Sequence, residues 1–230
     1  MSIRENLDIS SYLVVGPENT LGRPVRDIVR ASLEGGFTCI QIRSKVASAC
    51  EMIEIAHEAA EEIAKAGKSD SVALLVDDRL DVALAARKLG IKVDGVHVGQ
   101  SDIPPEICRE YLGEDAIVGL SARSNELLDY VAHADVTPVD YFGAGPLHET
   151  ETKKDLKRGE DGNIILRTFD ELTKLAKLSP VPVVVGGGVK AKDIPELKAT
   201  GVGGFFVVSA VAGAENPKAA AEELRNLWIK

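Results

Sequence analysis

The sequence predicts an α/β chain folded as a single (β/α)8 TIM barrel. Three observations lead there. Short apolar runs recur along the chain, a segment of helical spacing follows each, and most runs end in glycine or a polar cluster. Continuous apolar strands are what a parallel sheet buried on both faces requires. Eight strand–helix pairs in 230 residues match the count of a closed barrel, although alternation alone also suits an open doubly wound sheet. No linker or low-complexity segment divides residues 1–230, so one domain is expected.

In chain order, residues 12–15 read as the first strand, stopped by Gly16 and Pro17. Val25, Ile28, Val29 and Leu33 then keep helical spacing until Gly35 and Gly36. Residues 37–42 form the second strand, followed by a helix marked by Met52, Ile53, Ala56, Ala59, Ala60 and Ile63. The third strand, 72–76, runs into Asp77 and Asp78 before a helix over about 80–89. Residues 95–98 come next, and Pro104 and Pro105 fit a helical first turn, where a missing N–H costs little. Residues 116–120 end at Ser121, and Asn125 is expected to cap the helix carrying Leu127, Leu128 and Val131. The sixth strand, 140–144, opens a long polar loop reaching Asn163, with a helix over 169–178 beyond it. Residues 181–185 end in Gly186, Gly187 and Gly188, and a short helix covers 193–200. Residues 204–208 are the eighth strand, and 217–228 close the chain as an amphipathic helix.

Charge restricts the partners. A formal net charge of −9 makes nucleic acid and anionic membrane surfaces poor general partners. Any phosphate must then be held by a few local cations, backbone amides or a metal. Cys39, Cys50 and Cys108 are too far apart for a zinc or redox motif and are expected to be buried structural thiols. The first residues lack an apolar signal core, and the apolar run 205–214 is short and broken by Ser209 and Gly213. A cytoplasmic protein is expected.

In a parallel barrel the chemistry gathers at the carboxyl ends of the strands. Those ends carry Gln41, Arg43 and Lys45; Asp77 and Asp78; His97, Gln100 and Asp102; Ser121; the loop from Gly145; the glycine triplet; and Ser209. Asp77, Asp78 and Asp102 suit a hard ion such as Mg²⁺, which takes one or two carboxylates and leaves other positions to water and phosphate. Adjacent aspartates can equally cap the following helix. Gln41, Arg43 and Lys45 alternate and would share one face, as an anion site or as a solvated strand end. The triplet fits a phosphate cradle or a tight turn. Thr150, Thr152, Lys153 and Lys154 supply hydroxyls and ammonium groups for an anionic ligand. His57 and His133 fall on helices, His97 reads as a satisfied core histidine, and the role of His148 is open. No acid–base pair stands out.

The ordered set resembles the thiamine phosphate synthase family. The resemblance rests on Gln41-Ile42-Arg43-Ser44-Lys45, Asp77-Asp78-Arg79-Leu80-Asp81, residues 95–102, Gly119-Leu120-Ser121-Ala122, and Gly143-Ala144-Gly145-Pro146 followed by Thr150-Glu151-Thr152-Lys153. It implies a catalytic barrel that transfers a pyrimidinylmethyl group from a pyrimidine diphosphate to a thiazole phosphate, releasing pyrophosphate through a dissociative state. It also implies Mg²⁺ on Asp78 and Asp102. Gln41, Arg43, Lys45, Ser121 and Lys153 would contact the pyrimidine diphosphate, with Asp77 beside it, and Arg43, Ser121 and Lys153 would carry the catalysis. Thr150, Thr152, Gly188, Val208 and Ser209 would hold the thiazole phosphate. The implied partners are these small molecules, with room left for a homo-oligomer. The chain departs from the family habit at Ser44, where Glu is usual, and at Asp77, where Asn is usual. It departs again at Arg123 and Glu149. A thiazole tautomerase-like paralogue and a non-catalytic phosphate sensor are the competing readings. Asp78, Asp102, Arg43 and Lys153 together weigh against the first.

Overall fold

The apolar runs become strands because each can bury both of its faces. The computed structural model describes residues 2–122, 126–149 and 164–230. Its strands are β1 (Ser11–Val15), β2 (Cys39–Ile42), β3 (Ala73–Asp77), β4 (Gly95–Val98), β5 (Ile117–Ser121), β6 (Tyr141–Ala144), β7 (Val183–Val185) and β8 (Gly204–Val207). They pair in sequence order, all parallel, and β8 returns to β1, so the sheet closes. The open doubly wound alternative is thereby removed.

Helices α1 (Val25–Glu34), α2 (Ala49–Lys65), α3 (Leu80–Lys88), α4 (Pro105–Leu112), α5 (Leu127–His133), α6 (Phe169–Leu178) and α7 (Ile194–Ala199) alternate with the strands. A short α8 (Ser209–Ala212) and the terminal α9 (Pro217–Ile229) follow β8. Local chemistry sets several starts. Ser48 and Glu51 form a reciprocal capping box on α2, and Thr168 and Asn216 accept backbone N–H groups at the starts of α6 and α9. β7 is shorter than the predicted 181–185: Pro182 accepts the Phe142 amide through its carbonyl but has no N–H to give, and the regular ladder begins at Val183. The expected cap Asn125 lies outside the described residues.

Strand alternation sorts the side chains into two apolar regions. Leu13 and Val15 face outward into the cluster between sheet and helices, with Ile40, Ile42, Leu74 and Val76. Tyr12 and Val14 face the barrel axis, with Cys39, Leu75, Ile117, Tyr141 and Val184. The barrel is therefore filled, and Ile3 and Leu7 of the amino-terminal segment pack against the inner cluster. Cys39 and Cys108 are buried as expected, whereas Cys50 is exposed near the start of α2, which corrects the expectation for that thiol. Among the described residues no helix is long and apolar enough to cross a membrane.

The amino-terminal end of the sheet is tied by Asp140. Its carboxylate accepts from Arg4 Nε, Arg109 and the Val118 amide, each at 2.7 Å. Arg109 is itself buried, so removing the acid would strand a guanidinium without its counter-charge. Breaking a buried pair from one side costs about 3–5 kcal/mol. Asp140→Ala should lower the urea midpoint of unfolding by a stability loss near the bottom of that range. A midpoint equal to that of the unaltered chain would show that the ion pair adds nothing.

Candidate active site

The acids predicted for the mouth converge, and capping is not what holds them there. α3 starts at Leu80, and no side chain caps it. Asp77 instead turns to β2, where its Oδ2 lies 3.0 Å from Arg43 Nε, and Asp78 pairs with the Lys45 ammonium. Asp102, on the loop after β4, folds back to accept the Gly99 amide at 2.8 Å and lies within hydrogen-bond reach of Asp78. Asp78 has φ 60°, a left-handed conformation that non-glycine residues seldom adopt. Its own N–H donates to the His97 carbonyl at 2.8 Å and holds the backbone there. Strain of this kind is kept where the surrounding structure over-determines it, often at functional sites.

The acids compete for too little positive charge. Burial, with the Asp78 carboxylate alongside, holds Asp77 above the ordinary carboxylate range despite Arg43 and Lys45. Burial also works to raise Asp78, but hydrogen bonds from Lys45 and Asp102 outweigh it and the net direction is down. Asp102 is raised, first by burial and then by Asp78. Burial alone would lower the Lys45 pKa, and the Asp78 carboxylate reverses that direction.

The end of β2 does not present three parallel side chains. Gln41 is buried inside the barrel, whereas Arg43 and Lys45 lie beyond the last paired residue, Ile42, and lean towards β3. A residue not singled out in the sequence, Glu18, supports this turn. Its Oε1 accepts from Ser44 Oγ at 2.7 Å and from the Lys45 amide at 2.9 Å. Ser44 Oγ in turn accepts the Ala47 amide at 2.9 Å. Glu18 follows the first strand as one acidic residue among many, and no sequence signal distinguishes it.

Inside the mouth, polar groups form a continuous chain. Gln41 Nε2 donates to Tyr12 Oη at 2.8 Å, and Tyr12 Oη meets Tyr141 Oη at 2.8 Å. Tyr141 Oη lies 2.9 Å from His97 Nδ1, and His97 Nε2 lies 2.9 Å from Ser121 Oγ. His97 is thus a hydrogen-bonded interior histidine, as its place in a strand suggests. Gln100 reaches across to the Ser121 carbonyl at 2.7 Å and to Tyr130 Oη at 3.0 Å.

The glycine triplet does more than turn. Gly187 and Gly188 have φ of 83° and 74°, and a Cβ on Gly187 would stand 2.5 Å from Pro146 Cβ. One on Gly188 would stand 2.9 Å from His148 Cβ. The triplet therefore admits the loop after β6, whose Leu147 and His148 amides donate to the Gly186 and Gly187 carbonyls. His148 is fixed by Asp193, with Nε2 to Oδ2 at 2.9 Å. Gly188 lies against that loop, Val208 precedes α8, and Ser209 is the exposed first residue of α8. Thr150, Thr152 and Lys153, with Arg123 and the stretch 154–161, lie outside the described residues.

This arrangement sits on a chain with clear relatives. A family profile described as thiamine monophosphate synthase matches residues 11–211. The chain belongs to that family. It is 40% identical over 218 residues to a thiamine-phosphate synthase of Vibrio campbellii, covering 94% of this chain and 96% of that one. It is also 40% identical over 220 residues to a thiamine-phosphate synthase of Corynebacterium jeikeium, covering 95% and 94%. Among solved structures, a thiamine phosphate pyrophosphorylase from Pyrococcus furiosus superposes with a TM-score of 0.78 at 32% identity, covering 96% of each chain. A 3-hexulose-6-phosphate synthase superposes with a TM-score of 0.65 at 16% identity, which speaks for the fold alone.

The residues present fit a magnesium ion. No group of three or more His, Cys, Asp or Glu that could hold a metal occurs among the described residues. Mg²⁺ does not need one, since it is commonly bound through one or two carboxylates, with water and phosphate completing its shell. Asp78 and Asp102 stand close enough to hydrogen-bond to each other, at the point where positive charge is short.

The loop packing is testable on its own. Gly187→Ala combines an unfavourable φ with a steric clash against Pro146, and should cost about 1–3 kcal/mol in urea unfolding. Unchanged stability would mean that the loop does not need the glycine.

Proposed function

We propose that this chain condenses 4-amino-2-methyl-5-(diphosphomethyl)pyrimidine with 4-methyl-5-(2-phosphoethyl)thiazole, or with its carboxylate and loss of CO₂, to give thiamine phosphate and pyrophosphate. The observation that carries the reading is the clustering of Asp78 and Asp102 with Arg43 and Lys45 at one side of the mouth. It supplies both a cation site and anion-binding groups to an otherwise acidic protein.

In this reading the carbon–oxygen bond of the pyrimidine methylene breaks first, and its electron pair leaves with pyrophosphate. The thiazole nitrogen then forms the carbon–nitrogen bond. Neither step needs a general base, in keeping with a site whose prominent groups are charges and hydrogen bonds. Asp78 and Asp102 would hold Mg²⁺, which would supply positive charge to offset that of the diphosphate. Arg43 meets Asp77 through Nε, and its guanidinium offers its terminal N–H groups to the diphosphate. Lys45 exchanges part of its pairing with Asp78 for the diphosphate, and Lys153 joins it there. Asp77 keeps Arg43 in place, which gives its extra negative charge a use. Gln41 and Ser121 contact the pyrimidine diphosphate from inside the mouth. Thr150, Thr152, Gly188, Val208 and Ser209 hold the thiazole phosphate through hydroxyl and backbone groups.

The deciding assay mixes both substrates with and without Mg²⁺ and follows pyrophosphate. Release that requires all three components is expected, and metal-free isomerisation of the thiazole carboxylate in its place would reject the synthase reading. Asp78→Ala should lower Mg²⁺-dependent turnover by about a hundredfold or more, the scale of losing an electrostatic stabiliser of the leaving group. Thiazole phosphate binding, measured by calorimetry, should persist, and its equal loss would mark Asp78 as structural. Lys153→Ala should slow pyrophosphate release by about tenfold or more, and turnover at the unaltered rate would remove Lys153 from the mechanism.

A further inference from the structure

We propose that Tyr12, Tyr141 and His97 form a one-way hydrogen-bond chain that fixes Gln41 as an acceptor and Ser121 as a donor towards the substrate, selecting an aminopyrimidine over an oxopyrimidine. The inference rests on the proposed function for the identity of the substrate, and on the interior of the barrel for everything else.

The direction follows from counting protons. Gln41 turns its Nε2 to Tyr12, so its Oε1 is directed away from that bond. The Tyr12 oxygen accepts there, and the Cys39 thiol adjoins the same hydroxyl. A phenol has one proton, and Tyr12 gives it to the Tyr141 oxygen. Tyr141 then has its own proton for His97 Nδ1. An imidazole accepting at Nδ1 carries its proton on Nε2, and that proton goes to Ser121 Oγ. Ser121 thereby accepts inside the barrel and keeps its O–H to donate elsewhere.

The links reverse only together. Each hydroxyl and the imidazole give one proton within the chain, so turning any one member puts two donors or two acceptors face to face. Tyr12 and Tyr141 are completely enclosed and Gln41 nearly so, where an unmatched polar contact is costly. Burial drives both tyrosine pKa values far upward, so both hydroxyls keep their protons. The chain is also built into the backbone. A Cβ on Gly119 would stand 2.3 Å from Tyr141 Oη and 2.6 Å from His97 Nδ1, so only glycine admits the pair.

The consequence is selectivity at one position of the pyrimidine. An exocyclic amine donates to Gln41 Oε1, whereas an oxo group sets lone pairs against lone pairs. A site built around a donated hydrogen bond rejects such an analogue by about a hundredfold or more. Tyr12, Tyr141 and His97 are positioning residues here, acting through Gln41 and Ser121.

The test compares kcat/KM for the 4-amino diphosphate and its 4-oxo analogue in the unaltered chain, Tyr141→Phe and Tyr12→Phe. The ¹⁵N spectrum of His97 in the unaltered chain supplies a second readout. Expected are an Nε2–H imidazole, strong preference for the amine, and a fall in that preference by about tenfold or more in each variant with KM for the thiazole phosphate unchanged. An Nδ1–H imidazole would overturn the chain's direction, and full selectivity in both variants would overturn its role. Absence of turnover by the unaltered chain would overturn the proposed function and the selectivity together. Turnover with an unaltered ratio would overturn the chain alone.

Discussion

A carboxylate taken out of water needs positive charge beside it, and the mouth of this barrel has more carboxylates than nearby cations. Asp77, Asp78 and Asp102 gather around Arg43 and Lys45 at the ends of β2, β3 and β4. That shortage orders the rest of the site. It draws the turn after β2 towards β3, and it accompanies a left-handed backbone at Asp78. It also leaves two of the three carboxyls with proton affinities above the usual range. Stability alone would favour fewer acids here. Under the proposed function, which brings a cation and a polyanion together, the site has reason to keep them.

The fold was legible because burial on both faces leaves a strong trace in sequence. The apolar runs, their glycine stops and their polar ends mark strands to within a residue or two; their number matches a closed barrel, and the pairing of β8 with β1 decides it. The rim position of Asp78 was legible for a related reason: a charged residue directly after an apolar strand has few places to go except the rim, and Asp102, four residues beyond β4, is brought back there by its bond to the Gly99 amide. Asp77 looked like surplus negative charge, and only its contact with Arg43 shows what it is held against. The glycine triplet looked like a turn or a cradle, yet Gly187 and Gly188 also clear the path of residues some forty positions earlier. Spacing along the chain carries no record of such an approach.

Cys50 and Glu18 mark the limit of pattern reading. An exposed thiol at a helix start and a buried one in a strand have the same letter, and burial separates them. Glu18 belongs to a single 3₁₀ turn, Pro17–Asn19, whose composition does not single it out. Its hydrogen bonds to Ser44 and Lys45 bring a carboxylate to the turn after β2.

The barrel interior makes the same point from the opposite direction. Tyr12 and Tyr141 read as ordinary members of apolar strands, and their rings do pack in the inner cluster with Val14, Leu75 and Val184. Yet a residue that faces the barrel axis must satisfy any hydroxyl it buries. The partners available are other inward-facing groups on neighbouring or opposite strands, so the hydroxyls find each other, an amide and an imidazole. Closure of the sheet is what brings β1, β2, β4, β5 and β6 within reach of one another. The requirement that every buried polar atom be paired then converts a packed core into a chain with defined ends. Those ends are Gln41, buried inside the barrel, and Ser121, the last residue of β5, so satisfying the core and shaping the site become one physical problem.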